Sequence, residues 1–301
     1  MTARHRAGAR RNPPVWMWVT AALTATAFAA VVTVLTPAWV AGPPPPAGPT
    51  AATRVLRDAQ FTDVTAATLQ SLPEARFDAV IAGLMPYRSA DVPAAATAAY
   101  AISSDTPLYD ASQIPVARFA FTDFTGRPTV IVPVRIDGPW ALVMTPARQS
   151  LPSAMHGDAP AQTVGWIRTS ALHKASDLSR RVVVSVGHQS LSIQSLAGHV
   201  QQAFAVGVGA PDTPTPTGVT GYLEERFLDP GQGESVYPIV LTSLHAAAQD
   251  EPFQGEDGGL IGIHYFAQHD GAVSHGCIRL PEEAIRAMNA LPLGTSITIV
   301  P

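Results

Sequence analysis

Ser190-Leu191-Ser192-Ile193-Gln194 alternates polar and apolar side chains without a break. A strand turns successive side chains to opposite faces, so this alternation predicts a strand with one face in a core and the other in water. Gly187-His188 before it and Ala197-Gly198 after it stand where two-residue turns would fold the chain back, and Phe204-Ala205-Val206-Gly207-Val208 continues the pattern. A β-meander follows. Further strands are expected at Val219–Phe227, Tyr237–Leu244, Leu260–Phe266 and Ser296–Val300. Between the last two lies Pro281-Glu282-Glu283-Ala284-Ile285-Arg286-Ala287-Met288. Its proline opens a first turn, acids follow it, and apolar Ile285 and Met288 sit three apart, which predicts a helix. Residues 180–301 therefore read as one mostly-β domain with a single C-terminal helix.

Upstream, Pro107 to Leu172 holds short apolar runs such as Val130-Ile131-Val132 and Trp140-Ala141-Leu142-Val143, parted by Gly, Pro and Asp. That spacing predicts a small β-barrel over residues 106–174. Trp140 and Gly165-Trp166-Ile167 resemble the tryptophan-bearing strands of bacterial SH3-like modules. Tryptophans that fill a small core explain them equally well. From Thr53 to Leu84 apolar residues recur at mixed spacings of three and four, broken by Pro73, so residues 53–105 read as short helices followed by an Ala-rich connector from Ala90 to Ala101.

The first residues concern location. Residues 1–14 carry Arg4, Arg6, Arg10 and Arg11 with no acid, and no charged side chain occurs from Pro13 to Val40. The apolar stretch, 15–36, approaches the ~20 residues of a spanning helix and exceeds a usual signal core, so an uncleaved anchor is expected. Cleavage near Val40-Ala41-Gly42, which would release the protein, is the alternative. With arginines only on its N-terminal flank, residues 1–14 form a cytoplasmic tail and the rest lies outside. Residues 37–52, with Pro43-Pro44-Pro45-Pro46, form a semi-rigid linker. The net charge of −4 gives no support for nucleic-acid binding.

The 301-residue chain has one cysteine, Cys277, inside Ser274-His275-Gly276-Cys277-Ile278-Arg279. A lone cysteine cannot form an intrachain disulfide, so an exported chain keeps it for chemistry or for chance burial. A thiol attacks carbonyls only as thiolate, and only about a few per cent is ionised at neutral pH, so a neighbouring imidazole is needed. His275 and His264 are both available. Gly276 lets backbone approach a reacting carbonyl, and its amide together with that of Cys277 can donate to a tetrahedral oxyanion. Arg279 offers a planar fork for a substrate carboxylate. His264, His269, His275 and Cys277 also contain metal-ligand types, but their spacings fit no zinc finger or metalloprotease pattern.

Ile261-Gly262-Ile263-His264, the second motif quoted above and the loop Gly207-Val208-Gly209 with Thr213-Pro214-Thr215-Pro216-Thr217-Gly218 together resemble the L,D-transpeptidases of the YkuD type, over about Val182 to Val300. The resemblance implies Cys277 as nucleophile, His264 as general base, and His275, Gly276 and Cys277 as wall and oxyanion donors. Ser274 and Arg279 would support them. Tyr265 stands where the family carries Gly, Ser or Thr, and the following loop is shorter. His269 is thus an alternative base, and Tyr265 and Phe266 are placed to narrow the cleft.

The implied activity is acyl transfer on peptidoglycan tetrapeptide stems, forming 3→3 cross-links between stems. Water as acceptor would make a carboxypeptidase or thiol amidase. A sortase is disfavoured because its Thr-Leu-x-Thr-Cys context is absent. A catalytically silent wall-binding protein, using the SH3-like region, is the reading from another class. A covalent thioester needs neither metal nor nucleotide, so no cofactor is expected.

Overall fold

A computed structural model describes residues 63–88, 94–228, 236–248 and 259–301, all within one compact unit, Arg54–Pro301. The expected tail, anchor and linker, residues 1–52, lie outside the described residues. Among the described residues no helix is long and apolar enough to cross a membrane.

Among the described residues between 63 and 105 there is one short helix, α1 (Ala66–Ser71), where a run of helices is expected. Thr65 caps it through its side chain, and Pro73 ends it. Beyond it the backbone is spent on other strands. Ala75 N–H donates to the Arg118 carbonyl and Ile81 N–H to the Arg148 carbonyl. The Ala-rich connector also contains strand: β1 (Met85–Pro86) is followed by β2 (Ala98–Ala101).

The expected barrel is a six-stranded sheet with open ends. It contains β1, β3 (Thr106–Tyr109), β4 (Pro115–Phe119), β5 (Pro133–Asp137), β6 (Trp140–Thr145) and β7 (Thr163–Arg168), in the path β4-β3-β7-β6-β5 with β1 beside β7. Ile131, just before β5, exchanges both backbone hydrogen bonds with Tyr100 of β2, while the Thr129 amide donates to the Phe121 carbonyl just beyond β4. Trp140 and Trp166 are buried beside Tyr109, so both fill core. Strand β8 (His173–Asp177) pairs with β2 and leads into the second domain.

That domain is built on a ten-stranded path, β11-β10-β9-β18-β13-β14-β15-β17-β12-β16. The meander is β9 (Arg180–Ser185), β10 (Ser190–Ser195) and β11 (Val200–Ala205). Its turns span four residues rather than two, with left-handed backbone at Gln189 and Gly198. After β12 (Gly207–Gly209), strand β13 (Val219–Phe227) pairs with β18 (Ser296–Val300) over its first half. Its second half pairs with β14 (Ile239–His245). One strand thereby joins two halves of the sheet, which curl over a single core of Val182, Leu191, Ile263, Ile278, Leu280 and Ile297, among others. Helix α2 (Glu282–Asn289) closes the core with Ala284, Ile285 and Met288, after β15 (Leu260–Tyr265), β16 (Gly271–Ser274) and β17 (Ile278–Leu280).

The two sheets meet along a hydrogen-bonded seam. Ser243 Oγ donates to Gln162 Oε1 at 2.6 Å and accepts from the Tyr222 amide at 3.1 Å. His245 Nε2 donates to the Pro146 carbonyl at 2.6 Å, and buried Arg148 donates to the carbonyls of Ala246 and Gly259 at 3.4 and 3.1 Å. Tyr222 packs among Val132, Met144 and Val164. Each buried hydrogen bond contributes about 1 kcal/mol, and breaking one costs more because its partner is left dry. Burial, then the charge of Arg148, lowers the His245 pKa from 6.5 to about 3, so this imidazole is neutral. At the other end of the seam Arg127 pairs with the buried carboxylate of Glu225 at 2.6 Å. Beside it Glu224 sits at a bulge in β13, and burial, with the charges of Asp123 and Glu225, raises its pKa from 4.5 to about 8.

Candidate active site

Strand alternation sorts the motif residues onto two faces. On β15, Ile261 and Ile263 enter the core, so Gly262 and His264 face the other way; on β17, Ile278 and Leu280 are core and Arg279 faces outward. Strands β15 and β17 run parallel with Ile263 opposite Ile278 and His264 opposite Arg279. One residue earlier in that register, Cys277 lies over Gly262. A β-carbon built on Gly262 would come 3.7 Å from the Cys277 sulfur. The result is a cleft of about 250 Å³ whose lining includes His264, Ser274, His275, Cys277 and Arg279, floored by Gly262 and bounded by Leu260. Cys277 is half-buried rather than sealed in the core.

Each polar group has a defined setting. The His264 Nδ1 atom is 3.1 Å from the Tyr265 carbonyl. A carbonyl only accepts, so Nδ1 carries the proton in the neutral ring and the lone pair is left on Nε2. The Arg279 guanidinium lies 4.2 Å from the Phe266 ring centre and makes no ion pair among the described residues. Its Nε is buried without a hydrogen-bond partner among the described residues. Ser274, buried, donates from Oγ to the Cys277 carbonyl and closes the turn before the cysteine. Gly276 has φ +99°, a conformation L side chains rarely adopt, and an added β-carbon would meet Ile261 Cδ1 at 3.1 Å.

Two of the residues singled out from sequence stand elsewhere. Tyr265 alternates onto the core side, where its ring meets Tyr237 at 5.5 Å, so it does not narrow the cleft. His269 is absent from the cleft lining, and its Nδ1 is 2.9 Å from the Phe266 carbonyl. Ser243 and His245 belong to the seam. Sequence reasoning missed Thr213 and Thr215. Thr213 Oγ1 donates to the Ser274 carbonyl at 3.0 Å and Thr215 Oγ1 to the Gly276 carbonyl at 2.8 Å, both hydroxyls being buried. The alternation of Thr and Pro from 213 to 217 is the local mark of this loop. Proline stiffens the backbone and threonine supplies the donors.

Residues 179–299 match the family model of the YkuD L,D-transpeptidase catalytic domain. The match covers the curled sheet, α2 and every residue of the cleft. Solved structures similar to this chain include an L,D-transpeptidase from Stackebrandtia nassauensis, at 14% identity over 42% of this chain and 57% of that one, with a TM-score of 0.31. A mutant L,D-transpeptidase from Enterococcus faecium shows 18% identity over 42% and 54%, TM-score 0.28. One from Mycobacterium tuberculosis shows 13% identity over 74% and 98%, TM-score 0.34. The chain thus spans little more than half the length of the first two. No curated protein sequence matches.

Proposed function

We propose that the YkuD-type domain is a peptidoglycan L,D-transpeptidase working through an acyl-enzyme on Cys277. One observation carries this reading. A half-buried thiol, an imidazole with its lone pair on Nε2 and a guanidinium with no ion pair among the described residues share one cleft in a domain that matches the family.

In this mechanism His264 Nε2 takes the thiol proton, and the sulfur attacks the carbonyl that joins a meso-diamino acid to terminal D-alanine. A C–S bond forms, the carbonyl oxygen becomes an oxyanion before backbone amides, and the C–N bond then breaks. The proton held by His264 passes to the departing D-alanine amine. A side-chain amine of a second stem next attacks the thioester, loses its proton to His264 and returns the thiol, leaving a 3→3 cross-link. Water in its place gives the carboxypeptidase outcome. Arg279, backed by Phe266, holds a stem carboxylate by paired hydrogen bonds. The domain acts outside the cytoplasm, held by the N-terminal segment or released by its cleavage, where peptidoglycan stems are its substrate.

The test incubates the protein with purified tetrapeptide stems and follows it by mass spectrometry. An acyl adduct on Cys277, lost in Cys277→Ala and followed by dimeric stems, is expected. An adduct that persists in the alanine variant refutes the site, and free tripeptide without dimers selects hydrolysis.

A further inference from the structure

The buried Thr215 hydroxyl sits between two backbone groups. Its Oγ1 accepts from the Gly209 amide at 2.8 Å and donates to the Gly276 carbonyl at 2.8 Å. Thr215 is only 2% exposed, and Gly209 leaves no room for adjustment: a β-carbon there would stand 2.4 Å from the Thr215 nitrogen. The hydroxyl is therefore held by β12 and the following loop, not by solvent.

A trans peptide unit is planar, with its C=O and N–H pointing in opposite directions. The carbonyl of Gly276 belongs to the same peptide unit as the amide of Cys277. Tethering that carbonyl to Thr215 on one side fixes the plane of the peptide unit and, with it, the direction of the N–H of Cys277, a residue that lines the cleft. A similar tether acts two units earlier, where Thr213 Oγ1 and the Ala210 amide both donate to the Ser274 carbonyl. Between the two fixed units lies the His275–Gly276 peptide unit, hinged at Gly276 with φ +99°.

We infer that Thr215 is a positioning residue for acyl transfer, one that aims the Cys277 amide at the developing oxyanion without touching substrate. This rests on the reading of Cys277 as the acyl-accepting thiol. Oxyanion donors matter only when a carbonyl becomes tetrahedral. Alkylation of the same thiolate by iodoacetamide forms a C–S bond and expels iodide without any oxyanion, so it reports thiol and imidazole alone.

The experiment compares the intact chain with Thr215→Val, which keeps the shape and removes the hydroxyl, and with Thr215→Ser, which restores it. Acylation by tetrapeptide is followed by mass spectrometry and alkylation by iodoacetamide across pH. Acylation is expected to slow about 100-fold in the valine variant, the scale of losing one oxyanion donor. Alkylation should stay within about twofold with its pH profile unmoved, and serine should recover most of the acylation. If valine leaves acylation unchanged, if acylation and alkylation fall together, or if serine recovers nothing, the inference is wrong. Should the valine variant not fold, Thr215→Ala, which removes the hydroxyl and adds no second thiol, carries the same comparison. Absence of any acyl adduct on the unaltered chain overturns the proposed function and this inference together. An adduct formed equally fast by all variants overturns only the inference.

Discussion

Replacing Glu224 by glutamine should make the protein more resistant to alkali. Glu224 is about nine-tenths buried, its Oε2 has no hydrogen-bond partner among the described residues, and its pKa is raised from 4.5 to about 8. Burial is the main cause, joined by the charges of Asp123 and Glu225. The sign follows from linkage. An unfolded chain gives up this proton near 4.5, whereas the folded protein keeps it until about 8, so stability is full below the first value and drains away as pH rises through the second. The ceiling on the loss is about 5 kcal/mol at ~1.4 kcal/mol per tenfold change in proton affinity. Water reaching the partly exposed edge of the carboxyl reduces this, and even ~2 kcal/mol would move the melting temperature by about 4 to 8 °C. Glutamine keeps the shape and cannot ionise. Thermal unfolding of both proteins followed by circular dichroism from pH 5 to 9 is the assay. The melting temperature of Glu224→Gln minus that of the unaltered protein should grow with pH up to about 8 and level off above it. A difference that stays constant across that range would mean the carboxyl titrates as it does in water, and the account of its burial would be refuted.

At acid pH the seam should fail from its other end. His245 binds a proton near 6.5 when unfolded and only near 3 when folded, so its contribution is full above 6.5 and lost as pH falls toward 3. The stability advantage of the unaltered protein over His245→Gln, measured by urea unfolding, should shrink between pH 7 and 4. Gly276→Ala places a β-carbon against Ile261 at a backbone angle that costs about 1–3 kcal/mol. It should fold with a melting temperature a few degrees lower and form the acyl adduct at least ~10-fold more slowly, both measurable on one preparation.

The cleft was legible in the sequence because its residues are local. Ile261 to His264 and Ser274 to Arg279 lie on adjacent strands, and period-two alternation states which of them share a face. The same rule, carried one residue further, puts Tyr265 on the core side and takes it out of the cleft. Strand β18 was legible because Ser296 and Thr298 alternate with Ile297 and Ile299. The stretch from 53 to 105 was harder. Its apolar spacing suits helices, yet Ala75 and Ile81 spend their amides on the carbonyls of Arg118 and Arg148, partners that propensity does not see. The bridge between Tyr100 and Ile131 is a distant pairing of the same kind. Thr213 and Thr215 lie about sixty residues before the groups they hold, so no short-range pattern could assign them.

The family match begins at residue 179, but the physical boundary of the domain does not fall there. Severing the chain before Arg180 would strip Gln162 from Ser243, the Pro146 carbonyl from His245, and the Arg148 guanidinium from the carbonyls of Ala246 and Gly259. Gly259 and its neighbour Leu260 form one wall of the cleft. A fragment trimmed to the recognisable enzyme would therefore lose the buttress behind that wall and bare Tyr222 to water. The first sheet is better understood as masonry for the second than as a passenger fused to it.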